Sequence, residues 1–364
     1  MEPLIQENNV SETANLTWAL AIATYNRPDV LLKCVELAVK QTRPPKEIVI
    51  VDSSDDWSTT RDLVLSLVEK LGFGGPTVFH KALTRGQPAQ RNQAIDLSTA
   101  DVLFLVDDDT LMFRDCARRV MEVYEKDVEG KVVGVSPQEA VEPPPTGSGE
   151  APEIGRPLEK SVSRRFKDSL ARWIVPHMFY PWSKQAPPDL SGTPLTLKLG
   201  VRPIDVLLGF RMTMRREVAA KEKFESSLIV AAMEDYEGCL RFARSGMFVE
   251  LDQPLLFHMV SPRPSKIRRD GPLFAAFSVL NHTYIVLKNY GNDAEVRRYI
   301  RWSRGRYITW FFTYGIMVRD FCRYRGARVG AKYANELMEQ ANPDNLRQLY
   351  EQISKNLMND ARFV

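Results

Sequence analysis

The chain is poor in the features that mark several large protein classes. It has only four cysteines, Cys34, Cys116, Cys239 and Cys322, set far apart with no CxxC pair among them. That spacing argues against a zinc site or a disulfide framework and fits a reducing cytoplasm. Excess charge of one sign is scarce as well. The formal net charge is +3 over 364 residues, too little by itself to imply a nucleic-acid partner. Long apolar runs are missing. The longest near the C-terminus, "ITWFFTYGIMV", is about half of what a spanning helix needs. The opening "MEPLIQENNVSETANLT" has no basic n-region and no apolar h-region, so no signal peptide is expected. There is no GxxxxGK[ST] phosphate loop. What is present is ordinary for a globular protein: 44% hydrophobic and 26% charged residues, enough to bury a full core.

Apolar segments alternate between strand and helix periods over the first 135 residues. "WALAIA" (18–23) and "EIVIV" (47–51) predict buried strands, "TVFHK" (77–81) a weaker one, and "VLFLV" (102–106) and "KVVGV" (131–135) two more. Between them, Leu31, Val35 and Ala38 share one helical face, and Leu63, Leu67 and Leu71 another. Asn26 is placed to cap the first helix, with Pro28 in its first turn. "GQPAQRNQAIDLS" (86–98) reads as a helix opened by a glycine turn, and residues 115–126 as a further helix. The alternation predicts an α/β fold with a mostly parallel sheet and helices on both faces.

The rhythm breaks near residue 139. "EAVEPPPTGSGEAPEIGRP" reads as a flexible loop, and about 139–203 as an insertion, a lid or acceptor-facing element. Order returns at "IDVLLGFRMTMRREV" (204–218). A helix is expected at "EDYEGCLRFARSG" (234–246), ended by Gly246 as C-cap, followed by short strands at "FVELD" and "PLLFHM". From Gly271 the pattern is helical. The expected division is a loosely attached N-terminus (1–16), an α/β domain (17–260) carrying the insertion, and a C-terminal helical region (261–364).

The chemistry concentrates where strands end. "VLFLVDDDTLM" runs five apolar residues into Asp107, Asp108 and Asp109. Crowded carboxylates repel and resist desolvation, so a positive partner or a surface position is required. With strand period two, Asp107 and Asp109 point the same way. Two hard oxygen donors side by side suit Mg²⁺ or Mn²⁺; the alternative is a solvated acidic turn capping the next helix. In parallel sheets ligands sit beyond the strand C-termini. "ATYNRP" (23–28), "VDSSDD" (51–56) and "RGQPAQRN" (85–92) belong to that same edge. Tyr25 can stack on a base there, Asp52 can hold a base or ribose edge, and Arg85 and Arg91 can sit near phosphates. Asn26 and Asp52 as caps, Tyr25 as core and the arginines as a solvated face are the plainer alternatives.

The series "AIATYNRP…IVIVDSSDD…GQPAQRNQAI…VLFLVDDDT…MEDYEGCLRFARSG" resembles glycosyltransferase family 2, the inverting nucleotide-sugar enzymes with the GT-A fold, over roughly residues 17 to 260. The resemblance implies a GT-A domain plus a C-terminal helical extension, and a metal-dependent transfer of a sugar from a nucleotide-sugar donor to an acceptor hydroxyl on a glycan, glycolipid or small molecule. Implied nucleotide-sugar contacts are Thr24, Tyr25, Asn26, Arg27, Asp52, Ser53, Arg85, Arg91, Asn92, Asp107 and Asp108. Implied ligands of a divalent cation, Mn²⁺ or Mg²⁺, are Asp109, Asp107 and His258; a structural histidine is the alternative for the last. The implied catalytic base is Asp235, paired with Glu234. Glycosyl transfer needs such a base for the acceptor proton and a cation for the departing diphosphate. Helix-start acids favoured by the dipole are the other reading of the pair. Ser53 stands where the family often has a second acid, which leaves UDP-, GDP- and dTDP-linked donors open.

Two basic segments complete the reading. "SPRPSKIRRD" (261–270) has Arg263, Lys266, Arg268 and Arg269, either closing over a diphosphate or forming a solvated linker. Residues 297–332 carry ten arginines and lysines against Asp320 alone, interleaved with aromatics. That composition suits a helix lying on an anionic membrane surface, or a hairpin that packs its aromatics inward; no nucleic-acid partner is expected. The overall expectation is a cytoplasmic enzyme, with peripheral membrane contact open. A catalytically silent GT-A-like sugar-nucleotide-binding protein and a nucleotidyltransferase are the rival functions.

Overall fold

A computed structural model describes residues 15–145, 199–228, 230, 233–259 and 271–363. Most of the expected insertion, nearly all of the expected loose N-terminus and the basic 261–270 segment lie outside the described residues.

The α/β half opens with β1 (Trp18–Thr24), α1 (Pro28–Val39), β2 (Glu47–Asp52), α2 (Trp57–Lys70), β3 (Thr77–Lys81), α3 (Gln87–Leu97), β4 (Val102–Phe104) and β5 (Thr110–Met112). It continues with α4 (Cys116–Lys126), β6 (Val132–Glu139), β7 (Val201–Ile204), β8 (Thr213–Arg215), α5 (Arg216–Glu222), α6 (Glu234–Phe242) and β9 (Met247–His258). The strands form one sheet in the order β3-β2-β1-β4-β8-β6-β9-β5, with β7 on the side of β9. β1, β2, β3 and β4 pair in parallel, and β6 pairs in parallel with β9. β8 runs antiparallel to both β4 and β6, and β5 and β7 run antiparallel to β9. Six of the nine strands among the described residues therefore share one direction, as the alternating pattern predicts.

Period two puts the two cores on opposite faces. Trp18, Leu20 and Ile22 of β1 pack with Leu31, Cys34, Val35 and Ala38 of α1. Ala19 and Ala21 face the other way, toward Ala94 and Ile95 of α3. Small residues on that face admit α3 close to the strand. The face expected for α2 is one position out. Thr60, Val64 and Val68 are buried, whereas Leu63 is 43% exposed. Both sets have helical spacing, so periodicity cannot choose between them; the β-branched set faces the sheet. Two further expectations are corrected. "FVELD" and "PLLFHM" form one strand, whose register against β6 slips around Pro254 rather than breaking. Proline has no ladder N–H, and a bulge absorbs it. Helix α6 ends at Phe242, so Gly246 is not its cap. A Cβ at Gly246 would lie 2.4 Å from the Lys131 carbonyl, which explains the glycine by close approach.

The C-terminal region is helical as expected: α7 (Pro272–Tyr290), α8 (Ala294–Val318), α9 (Cys322–Gln340) and α10 (Leu346–Met358). Its apolar cluster is continuous with Leu228, Val230 and Leu240 of the α/β half. α7 and α9 cross at contact distance because α9 carries Gly326 and Gly330. A Cβ there would lie 1.9 Å from the Pro272 carbonyl and 2.2 Å from the Ala276 carbonyl, respectively. On an open helix surface, glycine to alanine gains about 1 kcal/mol in propensity. At Gly330 the sign reverses: Gly330→Ala loses roughly 1–3 kcal/mol through overpacking, measurable by urea denaturation. An unchanged or raised stability would refute the close approach.

Candidate functional site

Each element at the parallel edge delivers one group. β4 ends at Phe104; an extended segment follows, and Asp108 and Asp109 lie in a turn before β5. The three aspartates diverge as the alternation predicts. Asp108 turns inward, accepting from the Thr24 hydroxyl at 2.6 Å and pairing with Arg27. Burial raises its pKa to about 6 against the opposing pull of Arg27. Asp107 and Asp109 converge instead with His258, their ligand atoms all within 4.8 Å of one another. The antiparallel register brings them there: Thr110 of β5 pairs with His258 of β9, and Met259 N–H donates to the Asp109 carbonyl at 2.9 Å. The His258 Nε2 lies 3.2 Å from Asp109 Oδ1, with its ring stacked on Phe210 at 4.4 Å. Burial opposes ionisation of Asp109, but the His258 hydrogen bond and the Arg27 charge hold its carboxyl below the usual range. Two carboxylates and an imidazole fit a divalent cation that accepts oxygen and nitrogen donors, Mn²⁺ more readily than Mg²⁺.

Glu234 and Asp235 open α6, and one arginine ties them to the aspartate row. Arg91, 1% exposed, reaches Asp107 at 2.8 Å, Glu234 at 3.3 Å and the Gly209 carbonyl at 2.9 Å. Gly209 suits that approach, since a Cβ there would meet the guanidinium at 2.9 Å. Arg91 therefore faces carboxylates in this structure rather than an open phosphate position. Asp235 Oδ2 accepts from Gly209 N–H at 3.2 Å and its Oδ1 from Tyr236 N–H at 2.9 Å. Burial, with each carboxylate beside another, raises the pKa of both Glu234 and Asp235. A raised carboxyl pKa suits proton acceptance and release near neutrality.

The nucleoside-side candidates divide. Asp52 is fully buried. Its Oδ1 accepts from Ser54 N–H at 2.7 Å, while Oδ2 has no hydrogen-bond partner among the described residues. Burial raises its pKa. The cap of α2 is Asp56, which accepts from Thr59 N–H at 3.2 Å, so Asp52 is not a cap. Arg85 lies over the half-buried Tyr25 ring at 5.5 Å and pairs with Asp55 at 2.8 Å. Ser53 bonds to Gln90 at 3.2 Å.

One expectation is corrected. Asn26 does not cap α1; Arg27 holds that position, and Asn26 sits at φ 50 with its side chain on Asp55. The left-handed region is one that asparagine tolerates. Asn92 uses one amide N–H and its amide oxygen on the Phe224 backbone, at 2.8 and 2.7 Å. The sequence reading missed Gln87, which donates to Asp107 at 2.5 Å, and Gln90, which donates to the Thr24 and Val51 carbonyls at 2.9 Å each. Their place in "GQPAQRN", one helical turn around Arg91, was the available signal. It also missed Met233.

Met233 adopts φ 80 immediately before Glu234. For a methionine this costs on the order of 1–3 kcal/mol and persists only where packing over-determines it. Met233 and Tyr236 pack on the C-terminal apolar cluster. An ionic network fixes the same helix from behind. Lys288 of α7 pairs with Glu237 at 2.9 Å and with Glu225, and Arg241 holds Glu237 at 2.7 Å. Burial opposes ionisation of Glu225, yet the charge and hydrogen bond of Lys288 and the Ser227 donors bring its pKa down to about 2 from 4.5. A depressed carboxyl pKa contributes stability that is present above about 4.5 and lost as pH falls toward 2. Glu225→Gln should therefore cost about 2 kcal/mol at neutral pH after allowance for partial solvent access. The gap to wild type should close between those two pH values in denaturation curves. A pH-independent gap would show that the ion pair contributes nothing.

No curated protein matches the chain. Among solved structures, the mannosyltransferase PcManGT of Pyrobaculum calidifontis, in complex with GDP-Man and Mn2+, matches at TM-score 0.50 and 14% identity, covering 96% of this chain and 89% of that one. TarS 1-349 of S. aureus, in complex with UDP-GlcNAc, matches at TM-score 0.45 and 14% identity, covering 94% and 92%. Residues 19–182 match the family model described as glycosyl transferase family 2. With that match, and a mixed α/β sheet and C-terminal helices of GT-A type, the chain is similar to glycosyl transferase family 2 over those residues and shares the GT-A fold.

Proposed function

We propose that the chain is a metal-dependent, inverting glycosyltransferase that moves a sugar from a nucleotide-sugar donor to an acceptor hydroxyl. One observation supports this above the rest. The aspartate row after β4 and the Glu234–Asp235 pair, far apart in sequence, meet on the single buried guanidinium of Arg91. That convergence supports a cation position beside a base position, the two things the transfer needs. The family-model match over residues 19–182 supports the same reading, and the mannosyltransferase of like fold was solved with GDP-Man and Mn2+.

In the proposed arrangement, Asp107, Asp109 and His258 hold the cation. When bound, the ion neutralises charge that builds on the diphosphate as it leaves. The chain does the rest. Asp52 Oδ2, buried without a partner, accepts from the nucleoside, and Tyr25 stacks beside it. Arg27, 2.9 Å from Asp109, would stand beside the cation site, where its charge suits a phosphate. Asp235, held at Oδ2 by Gly209 N–H, takes the acceptor proton as the hydroxyl attacks the anomeric carbon from the face opposite the diphosphate. The transfer is a single displacement, so configuration inverts. Glu234, raised by burial and its neighbour, keeps Arg91 in place.

UDP, GDP and dTDP, each with and without Mn²⁺ or Mg²⁺, provide the test through thermal unfolding. One nucleotide should raise the melting temperature only with metal, as expected for ligands that bind the native state. Asp109→Asn should abolish the metal-dependent part. Asp235→Asn should keep the shift while lowering transfer or slow donor hydrolysis by about 10²–10⁴-fold, the usual span for a lost general base. No shift with any nucleotide would sink the donor-site reading. An unchanged turnover in Asp235→Asn would remove that residue from the chemistry.

A further inference from the structure

The hairpin formed by α8 and α9 has a tip that the rest of the described residues do not cover. Residues 316–320 are consecutively exposed. A helix lying on a protein body hides about a third of its circumference, so the last turn of α8 stands clear of it. That turn is apolar: Ile316 is 56% exposed, Met317 47% and Val318 43%. Phe312, one turn earlier on the Ile316 face, is 41% exposed and touches Phe321, which caps α9, at a tilt and Tyr324 of α9 edge-on. The stripe 302, 305, 309, 312, 316 follows one seam of the helix, and Trp302 at its far end is 46% exposed. Arginines and a lysine frame it. Arg298, Arg301, Arg319, Arg325, Arg328 and Lys332 are exposed, and Asp320 is the acidic residue between 297 and 332.

We propose that this tip is a membrane-surface contact that sets Phe312, Ile316, Met317 and Val318 into the headgroup boundary of an anionic bilayer, with Arg319, Arg325 and Arg328 on lipid phosphates. Charge selects the occupant. A second copy on the same seam would oppose arginine to arginine with almost no acid to pair them, and the exposed apolar side chains fall short of the roughly 800 Å² per partner of a standard interface. An anionic lipid surface complements the rim and accepts the apolar turn, the pairing on which interfacial helices depend. Insertion is from the side: no helix among the described residues is long and apolar enough to cross a membrane. The proposal goes beyond the transfer reading and uses none of its residues.

Flotation of the full chain tests it, with vesicles of phosphatidylcholine alone or mixed with phosphatidylglycerol. The chain should float with the mixed vesicles only, and added salt should weaken the association. Arg325→Ala and Arg328→Ala should each weaken it about fivefold, the share of one cation near an anionic surface. Ile316→Ser with Met317→Ser should weaken it at least tenfold, following the loss of buried methylene groups. These side chains are exposed, so melting temperatures and any nucleotide-dependent shift should match wild type, separating this test from that of the donor site. Failure to float with either vesicle, or flotation indifferent to both sets of variants, would overturn the proposal. So would a dimer in light scattering that the Ile316→Ser, Met317→Ser variant dissolves, or a duplex oligonucleotide bound more tightly than the mixed vesicles.

Discussion

The buried guanidinium of Arg91 is the interaction on which the site depends. Three aspartates follow β4 in the segment before β5, and two more carboxylates open α6. Like charges at about 4 Å repel by roughly 4 kcal/mol in a partly buried setting, so folding would force these groups apart unless cations stood between them. Arg91 meets Asp107 and Glu234 together, and Arg27 meets Asp108 and Asp109. A planar fork with several fixed donors serves two carboxylates and a carbonyl at once in a geometry that a lysine ammonium does not share. The site is thus assembled by its own counter-ions, and Phe224 against the face of Arg91 closes the remaining side.

Much of this was legible in the sequence, and the failures have physical causes. Period two fixed the strands and correctly sent Asp107 and Asp109 to one side. It could not bring His258 beside them, because that depends on the Thr110–His258 register between strands far apart in the chain. Helical periodicity found α2 but chose Leu63 over Val64, since both stripes repeat every four residues and only tertiary packing ranks them. The clamp that the Asn92 amide makes on the Phe224 backbone was not legible, because it is set by a loop that no local pattern reveals. The pairing of Arg91 with Glu234 was hidden too, since Glu234 lies in another segment altogether.

The C-terminal helices were visible as helices, but not as a support for chemistry. Their apolar cluster receives Met233 and Tyr236, the residues on either side of the acidic pair, and Lys288 reaches into the ion network behind α6. Asn281 of α7 donates to the Val230 carbonyl at 2.7 Å, and Tyr350 of α10 donates to Asn281 at 2.7 Å. The strained backbone at Met233 is therefore held by helices that contribute none of the candidate site residues. Aromatic composition alone gave two uses for this region, and the structure shows an inner face and an outer face on the same hairpin.

The placing of β8 has a consequence for how the chain reaches this state. β8 is three residues long, yet it is the sole strand joining β4 to β6 in the sheet order. The first four sheet-forming segments of the parallel half end at Phe104, while the strand that continues the sheet begins at Thr213. On the ribosome, the first half emerges with an open ladder edge on β4 and waits for about a hundred further residues before anything native can occupy it. Open edges of hydrophobic sheet are templates for wrong pairing, and closing so long a loop delays the correct one. With this strand order the edge of β4 stays unpaired until β8 is made, so the interval in which wrong pairing can compete is set by the length of chain between them.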